Sequence, residues 1–184
     1  YTWQESTVDH FHKDADRIYV VFNGKEVEKP VMSNSMPPAY WLKDNFADIE
    51  AVCPVAVDAI NNLNVRCGDK EMQASSLFAE SNFFTFFSYP LLSGSPESVL
   101  ADPYSVVISE NFAKKMFGNE NPVGKSLQIS DSTFVTVTGV HKTFRRTLLP
   151  DRDLLMTVDR LPEFHDGIGR TNNNSLGSVV IYIK

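Results

Sequence analysis

The chain has 184 residues, 42% hydrophobic and 22% charged, with 9 Gly, 10 Pro and 2 Cys, proportions that exclude a disordered, a collagen-like and a disulfide-framework protein. Its 17 basic and 23 acidic residues leave a net charge of −6, which argues against nucleic acid as a partner because a phosphate-tracking surface needs a net basic face. At roughly 100 to 200 residues per domain, this length holds one domain or two small lobes, with a core that needs no staples.

The chain opens on Tyr1, without Met and without a basic-then-apolar leader, and nowhere reaches the roughly 20 apolar residues that span a bilayer. It reads as a soluble piece of a longer protein, with room for membrane segments on either side. From the start, residues 17–22 pass from polar sequence into a β-branched and aromatic run that stops at Asn23-Gly24, which predicts a strand and a turn. Pro37-Pro38 suits a helix start, and apolar residues at helical spacing continue to Phe46, so a helix is expected over about 37–47. Residues 49–59 are rich in Val and Ala; Asn61-Asn62 then separates them from 63–67 and 71–78, giving a strand, a turn and one or two further strands.

Ser81-Asn82 before Phe83-Phe84-Thr85-Phe86-Phe87 places a capping residue ahead of a dense aromatic cluster, which predicts a short buried helical turn. Residues 88–102 read as loop. Residues 104–108 form the next strand, and Ser109 caps a helix over 110–117 that Gly118 ends, with Phe112, Ala113, Met116 and Phe117 on one stripe. A hairpin is expected from 126–129 and 133–140 around Asp131-Ser132, then a strand over about 153–158, a polar loop over 160–177, and a last strand over 178–183. Strands and short helices mixed without a regular βαβα beat indicate an α+β fold with mostly antiparallel sheets. Phe83, Phe84, Phe112 and Phe117 are the expected core anchors.

Several patterns invite a chemical reading. Gly118 to Ser126 resembles a phosphate loop, but five residues separate Gly118 from Gly124 where four are needed. Pro122 also removes a donor, and the segment runs from helix to strand instead of the reverse, so a helix end and turn explain it. His10, His12, Asp14 and Asp16 alternate and offer metal-type ligands, yet no second ligand cluster accompanies them, and a solvated turn with a helix-start cap accounts for them. There is no Gly-x-Ser-x-Gly elbow. The sequence therefore yields no catalytic residue, no cofactor site and no metal site. If 51–59 and 63–67 pair about residue 60, Cys53 and Cys67 face each other near one rung; a bridge in an oxidising compartment and two buried free thiols both fit. His141 to Arg146, with Arg152, is a basic cluster in an acidic chain, read as a solvated loop before a lipid or acidic-partner contact.

The order of these pieces resembles a known family. Asp9 to Tyr19 is similar to the "D-x-F-H-x-x-x-D-R-I-Y" start of the extracytoplasmic domain of FtsX-like ABC transporter permeases. Ser81-Asn82-Phe83-Phe84, Pro90-Leu91-Leu92-Ser93-Gly94, the run from Val106 to Glu110, Phe117-Gly118, the run from Asn121 to Lys125, and the run from Val135 to Val140 follow the pattern of the MacB-like periplasmic core domain. Val20 and Ser95 depart from it, where the family commonly carries basic residues. The resemblance implies a porter-like base over 1–80 and 141–184, with an inserted lobe, called Sabre, over 81–140. It implies a non-catalytic domain held outside the cytoplasmic (inner) membrane, on the periplasmic or extracellular side, between the first two transmembrane helices of a permease. A separate cytoplasmic ABC ATPase, a second permease copy and a periplasmic adaptor or envelope protein are the implied partners, and export of lipoproteins, peptides or small toxic compounds is the implied work. A secreted or surface binding module of the same architecture is the alternative, and an enzyme with a metal at His10, His12, Asp14 and Asp16 a third.

Overall fold

In a computed structural model of the protein, the residues described are 13–21, 36–56, 62–143, 149, 151–164 and 179–184. Among them lie eleven strands and three α-helices. The strands are β1 (Tyr19–Val21), β2 (Val52–Ala56), β3 (Leu63–Cys67), β4 (Lys70–Ala74), β5 (Ser76–Ala79), β6 (Leu91–Ser93), β7 (Ser105–Ser109), β8 (Ser126–Gln128), β9 (Phe134–His141), β10 (Leu154–Thr157) and β11 (Val179–Ile183). The helices are α1 (Pro37–Asn45), α2 (Phe83–Phe87) and α3 (Glu110–Phe117). All strands join one sheet in the order β1-β11-β2-β5-β10-β7-β9-β8-β3-β4, with β6 on β9. The pairs β5–β10 and β7–β9 are parallel; the other described pairs are antiparallel. The fold is α+β.

Every residue of β2, β5, β7 and β10 is buried. Near-continuous apolar runs of this kind suit strands covered on both faces. Successive side chains point to opposite faces, and the cores follow that rule. Val106, Ile108, Leu154, Met156, Val179 and Ile181 enter a first core with Phe112, Met116 and Phe117 of α3 and the inward residues of β3, β8 and β9. Val107, Leu155, Val180 and Tyr182 enter a second core with α2, Tyr89, Val99 and Leu100. By contrast, β3 and β4 alternate or lean exposed, as half-buried strands near an edge do.

Local signals account for α3. Ser109 Oγ accepts from the Phe112 N–H at 3.1 Å, Phe112, Met116 and Phe117 turn inward, and Gly118, at φ +65°, closes the helix with its N–H on the Lys114 carbonyl. Four expectations of local structure need correction. The 51–59/63–67 hairpin does not form: β2 lies between β11 and β5, and β3 between β4 and β8. A strand apolar on both faces is most stable at the sheet centre, which outweighs the local turn signal. The run over 71–78 breaks at Ser75, whose N–H and hydroxyl both donate to Asp153 Oδ2 at 2.9 Å and lock β5 beside β10. Residues 91–93, read as loop, form β6, and Val158–Glu163 is a 3₁₀ turn at the start of the stretch read as polar loop. β10, from the segment after residue 140, pairs with β7 on one side and β5 on the other.

Candidate functional site

The segments that carry the sequence pattern over 90–94, 106–110 and 135–140 come together in one seam, where β9 lies between β6 and β7. Its geometry depends on two glycines. At Gly94, φ is +97°, and a Cβ would meet the Thr138 carbonyl oxygen at 2.8 Å and Val99 Cγ1 at 2.4 Å. A Cβ on Gly139 would meet the Ser93 carbonyl oxygen at 2.9 Å and the same Val99 methyl at 2.9 Å. Both positions therefore need the missing side chain to let β6 and the following turn approach β9. The Thr138 hydroxyl sits 2.5 Å from the Val99 carbonyl and 3.2 Å from that of Val106, stitching turn, β9 and β7 together. A bulge in β9 opposite Val106 and Val107 accommodates the close approach.

The N-terminus of α3 fastens to this seam. Glu110 Oε1 accepts from the Thr143 N–H, Asn111 Nδ2 reaches Thr143 Oγ1, and the Ser109 N–H donates to the Asp153 carbonyl. Beside it, a groove of about 330 Å³ runs between Leu92, Ser93 and Val140 on one side and Ala113, Lys114 and the 118–122 turn on the other. Leu92 is exposed there. Among the described residues the arrangement is a packed joint with an open groove.

His141 closes β9 from inside. It is 1% exposed, with Nδ1 2.9 Å from the Lys142 carbonyl oxygen and Nε2 3.2 Å from that of Arg152. Burial pulls its pKa below the ordinary imidazole value, and the two carbonyls, Asp151 and Glu110 pull the other way without overcoming it. The basic cluster of the sequence is thus divided: His141 is core, Lys142 is exposed, and 144–146 lie outside the described residues.

The aromatic anchors occupy both faces of the sheet. Phe83 and Phe84, each buried, belong to the second core, where Phe83 stacks on Tyr89 at 5.2 Å and Phe87 meets Tyr182 edge-on at 4.9 Å. Phe112 and Phe117 are buried in the first core. Asn82 does not cap α2; its amide donates to the Val52 carbonyl and ties the turn to β2.

Cys53 is buried on β2 and Cys67 half-buried on β3, both free thiols on strands that do not pair. The juxtaposition that suggested a bridge is therefore absent. Burial raises the Cys53 thiol pKa well above its ordinary value, with the Glu80 charge adding to the effect, which disfavours the reactive thiolate. Glu80 is itself a buried carboxylate that accepts from the Tyr40 hydroxyl at 2.7 Å. His10 and His12 lie outside the described residues. Asp14 pairs with Lys184, which lowers its pKa, and precedes a 3₁₀ turn (Ala15–Arg17) that contains Asp16. Among the described residues no three His, Cys, Asp or Glu side chains are grouped to hold a metal. In the segment resembling a phosphate loop, the Gly124 and Lys125 amides donate to the Val137 and Pro122 carbonyls, and Lys125 pairs with Glu120, leaving those groups committed.

The sequence reading missed Glu80, Asp153 and the seam glycines. The "Leu-Leu-Ser-Gly" and "Thr-Gly-Val" fragments were the available signal, since an isolated Gly within a strand pattern marks a close backbone approach.

Comparison with known proteins gives one sequence family and a set of folds. The profile of the MacB-like periplasmic core domain matches residues 2–184. No curated protein matches the chain in sequence. Among solved structures, a domain of a permease protein from Porphyromonas gingivalis aligns with a TM-score of 0.74 at 21% identity, over 92% of this chain and 75% of that one. The periplasmic region of MacB from Actinobacillus actinomycetemcomitans aligns with a TM-score of 0.63 at 19% identity, over 91% and 74%. The extracellular domain of the ABC-type transporter YknZ from Gram-positive bacteria aligns with a TM-score of 0.58 at 17% identity, over 91% and 81%. At these identities the likeness concerns the fold.

Proposed function

The chain belongs to the MacB-like periplasmic core domain family, a periplasmic domain of ABC transporter permeases, and from that membership we propose that it works as a non-catalytic transmitter and docking module. In this reading a separate cytoplasmic ATPase drives the permease, which is anchored in the inner membrane. The domain passes the resulting movement to a substrate or envelope partner outside, beside a second permease copy. The observation that carries the reading is the family match over residues 2–184. The single sheet supports it: a transmitter needs stiff connections, and β2, β5, β10 and β7 form a continuous ladder to the tightly packed β6–β9 seam.

The test uses the full-length permease with Cys53 and Cys67 changed to Ala and a single reporter, Asn119→Cys, on the exposed turn after α3. A membrane-impermeant maleimide should label the reporter in cells whose inner membrane is intact. In permease reconstituted with its ATPase, the labelling rate should change when ATP is added. Labelling only after lysis would overturn the location, and identical rates with and without ATP would overturn the transmitter role.

A further inference from the structure

A second cleft, of about 520 Å³, lies away from the seam, between the β8–β9 turn, the residue preceding β7 and the 3₁₀ turn after β10. One wall carries the hydroxyls of Ser130, Ser132 and Thr133; the other carries Tyr104, Arg160 and Phe164. Arg160 is 5% exposed, an uncommon state for a guanidinium. Nη2 donates to Glu163 Oε2 at 2.6 Å, while Nε is buried with no hydrogen-bond partner. The ring of Tyr104 covers the guanidinium, 4.2 Å from its carbon.

Nε and Nη2 share one edge of the guanidinium plane, the edge that binds a carboxylate through two parallel hydrogen bonds. Glu163 uses half of it. Its side chain is 41% exposed and can turn into water, provided the incoming carboxylate takes over the pairing with the 7% exposed arginine. Across the cleft, the Thr133 N–H donates to Ser130 Oγ, leaving the Ser130 hydroxyl proton for another acceptor. Phe164 packs on Phe78 at 5.6 Å and, with the half-exposed Tyr104, gives the cleft aromatic walls.

We infer that this cleft binds a ligand bearing a carboxylate on an apolar or aromatic body, the ligand's carboxylate displacing Glu163 from Arg160 and filling the Nε position. A flat, two-oxygen anion matches the guanidinium edge, and the rings take the body. A free organic acid and the C-terminal residue of a peptide share this chemistry. The inference does not depend on the transmitter role.

The test titrates the isotopically labelled chain with phenylacetate, with phenylacetamide as the uncharged counterpart, and with N-acetylglycyl-phenylalanine as a peptide terminus, following the Arg160 Nε–H and the 130–133 amides by NMR. Phenylacetate should move both sets of signals and phenylacetamide neither. Glu163→Gln, by removing the competing carboxylate, should tighten phenylacetate binding by about threefold or more, and Ser132→Ala with Thr133→Val should weaken it by a similar factor. Gln at 163 keeps a side-chain oxygen to accept from Arg160 Nη2, and Ser132 is exposed and Thr133 half-buried, so the fold is retained. Tighter binding of the peptide than of phenylacetate would assign the site to chain termini, and the reverse order to free acids; either supports it. Equal binding of acid and amide, an unmoved Arg160 Nε–H, or Glu163→Gln without effect would overturn it.

Discussion

Gly94 and Gly139 show how much one absent atom can decide. A methyl at Gly139 would press on the Ser93 carbonyl, a backbone atom that cannot rotate away. Gly139→Ala should therefore force β6 off β9 and cost about 1 to 3 kcal/mol, the usual range for overpacking, read as a lower urea midpoint with unchanged slope. His141 gives a pH dependence with a fixed sign. Its folded pKa lies below the ordinary 6.5, so the unfolded chain binds the proton more readily. Stability from this group is complete above that value and falls as pH drops through it toward the lower folded pKa. Urea midpoints measured at several pH values should decline on acidification below about pH 6.5, and His141→Gln should flatten that slope; an equal slope in the variant would exclude His141 as the cause. Asp14, Glu97 and Glu120, with lowered pKa values, act only at more acidic pH, below the ordinary carboxylate range. For the cysteines, two free thiols of unequal exposure mean that iodoacetamide should modify Cys67 in the folded protein and both after unfolding without reductant, counted by mass.

At the scale of elements, α2 has only five residues, four of them buried phenylalanines. A helix so short has little stability of its own and forms because its rings fill the second core. Phe84→Ala, at a position 1% exposed, should cost roughly 3 to 5 kcal/mol in a denaturant titration, and a loss under about 1 kcal/mol would show a looser site. Elements set by neighbours in sequence were legible: α3 carries its cap, stripe and terminating glycine within ten residues, and α1 begins on its prolines. β6 was not. Three residues offer too little pattern, and what holds them is a pair of glycines on segments far apart in sequence. Polar residues at or beside the core were equally hidden, because Glu80, Asp153 and His141 meet Tyr40, Ser75 and the Arg152 carbonyl. Of the candidate site, the phenylalanines stood out by density, whereas nothing in the sequence singled out Arg160, which the fold places over the Tyr104 ring.

For the whole molecule, the consequence of two cores on one sheet is cooperativity. β2, β5, β7, β10 and β11 contribute residues to both. Loss of either core strips one face of the same strands. Unfolding followed by tryptophan fluorescence and by far-UV circular dichroism should give coincident transitions, and Phe84→Ala on one face and Phe117→Ala on the other should each lower both curves together; separated curves would mean the cores unfold independently. Most strands were readable from composition, but strand order was not: the wrong hairpin between β2 and β3 came from sequence adjacency, while the actual neighbours of β2 are β11 and β5.

The pairing of β1 with β11 has a mechanical meaning. Tyr19 lies opposite Ile183, and the Asp14–Lys184 ion pair sits just beyond them, so the chain enters and leaves the sheet side by side. In an antiparallel pair loaded at that shared end, the ladder bonds are strained one after another, as in a zipper. A tension drawing residues 19 and 183 apart would thus peel β1 away at low force and leave the inner strands in register. A load drawing β1 and β11 lengthwise past each other would instead be borne by all their ladder bonds at once.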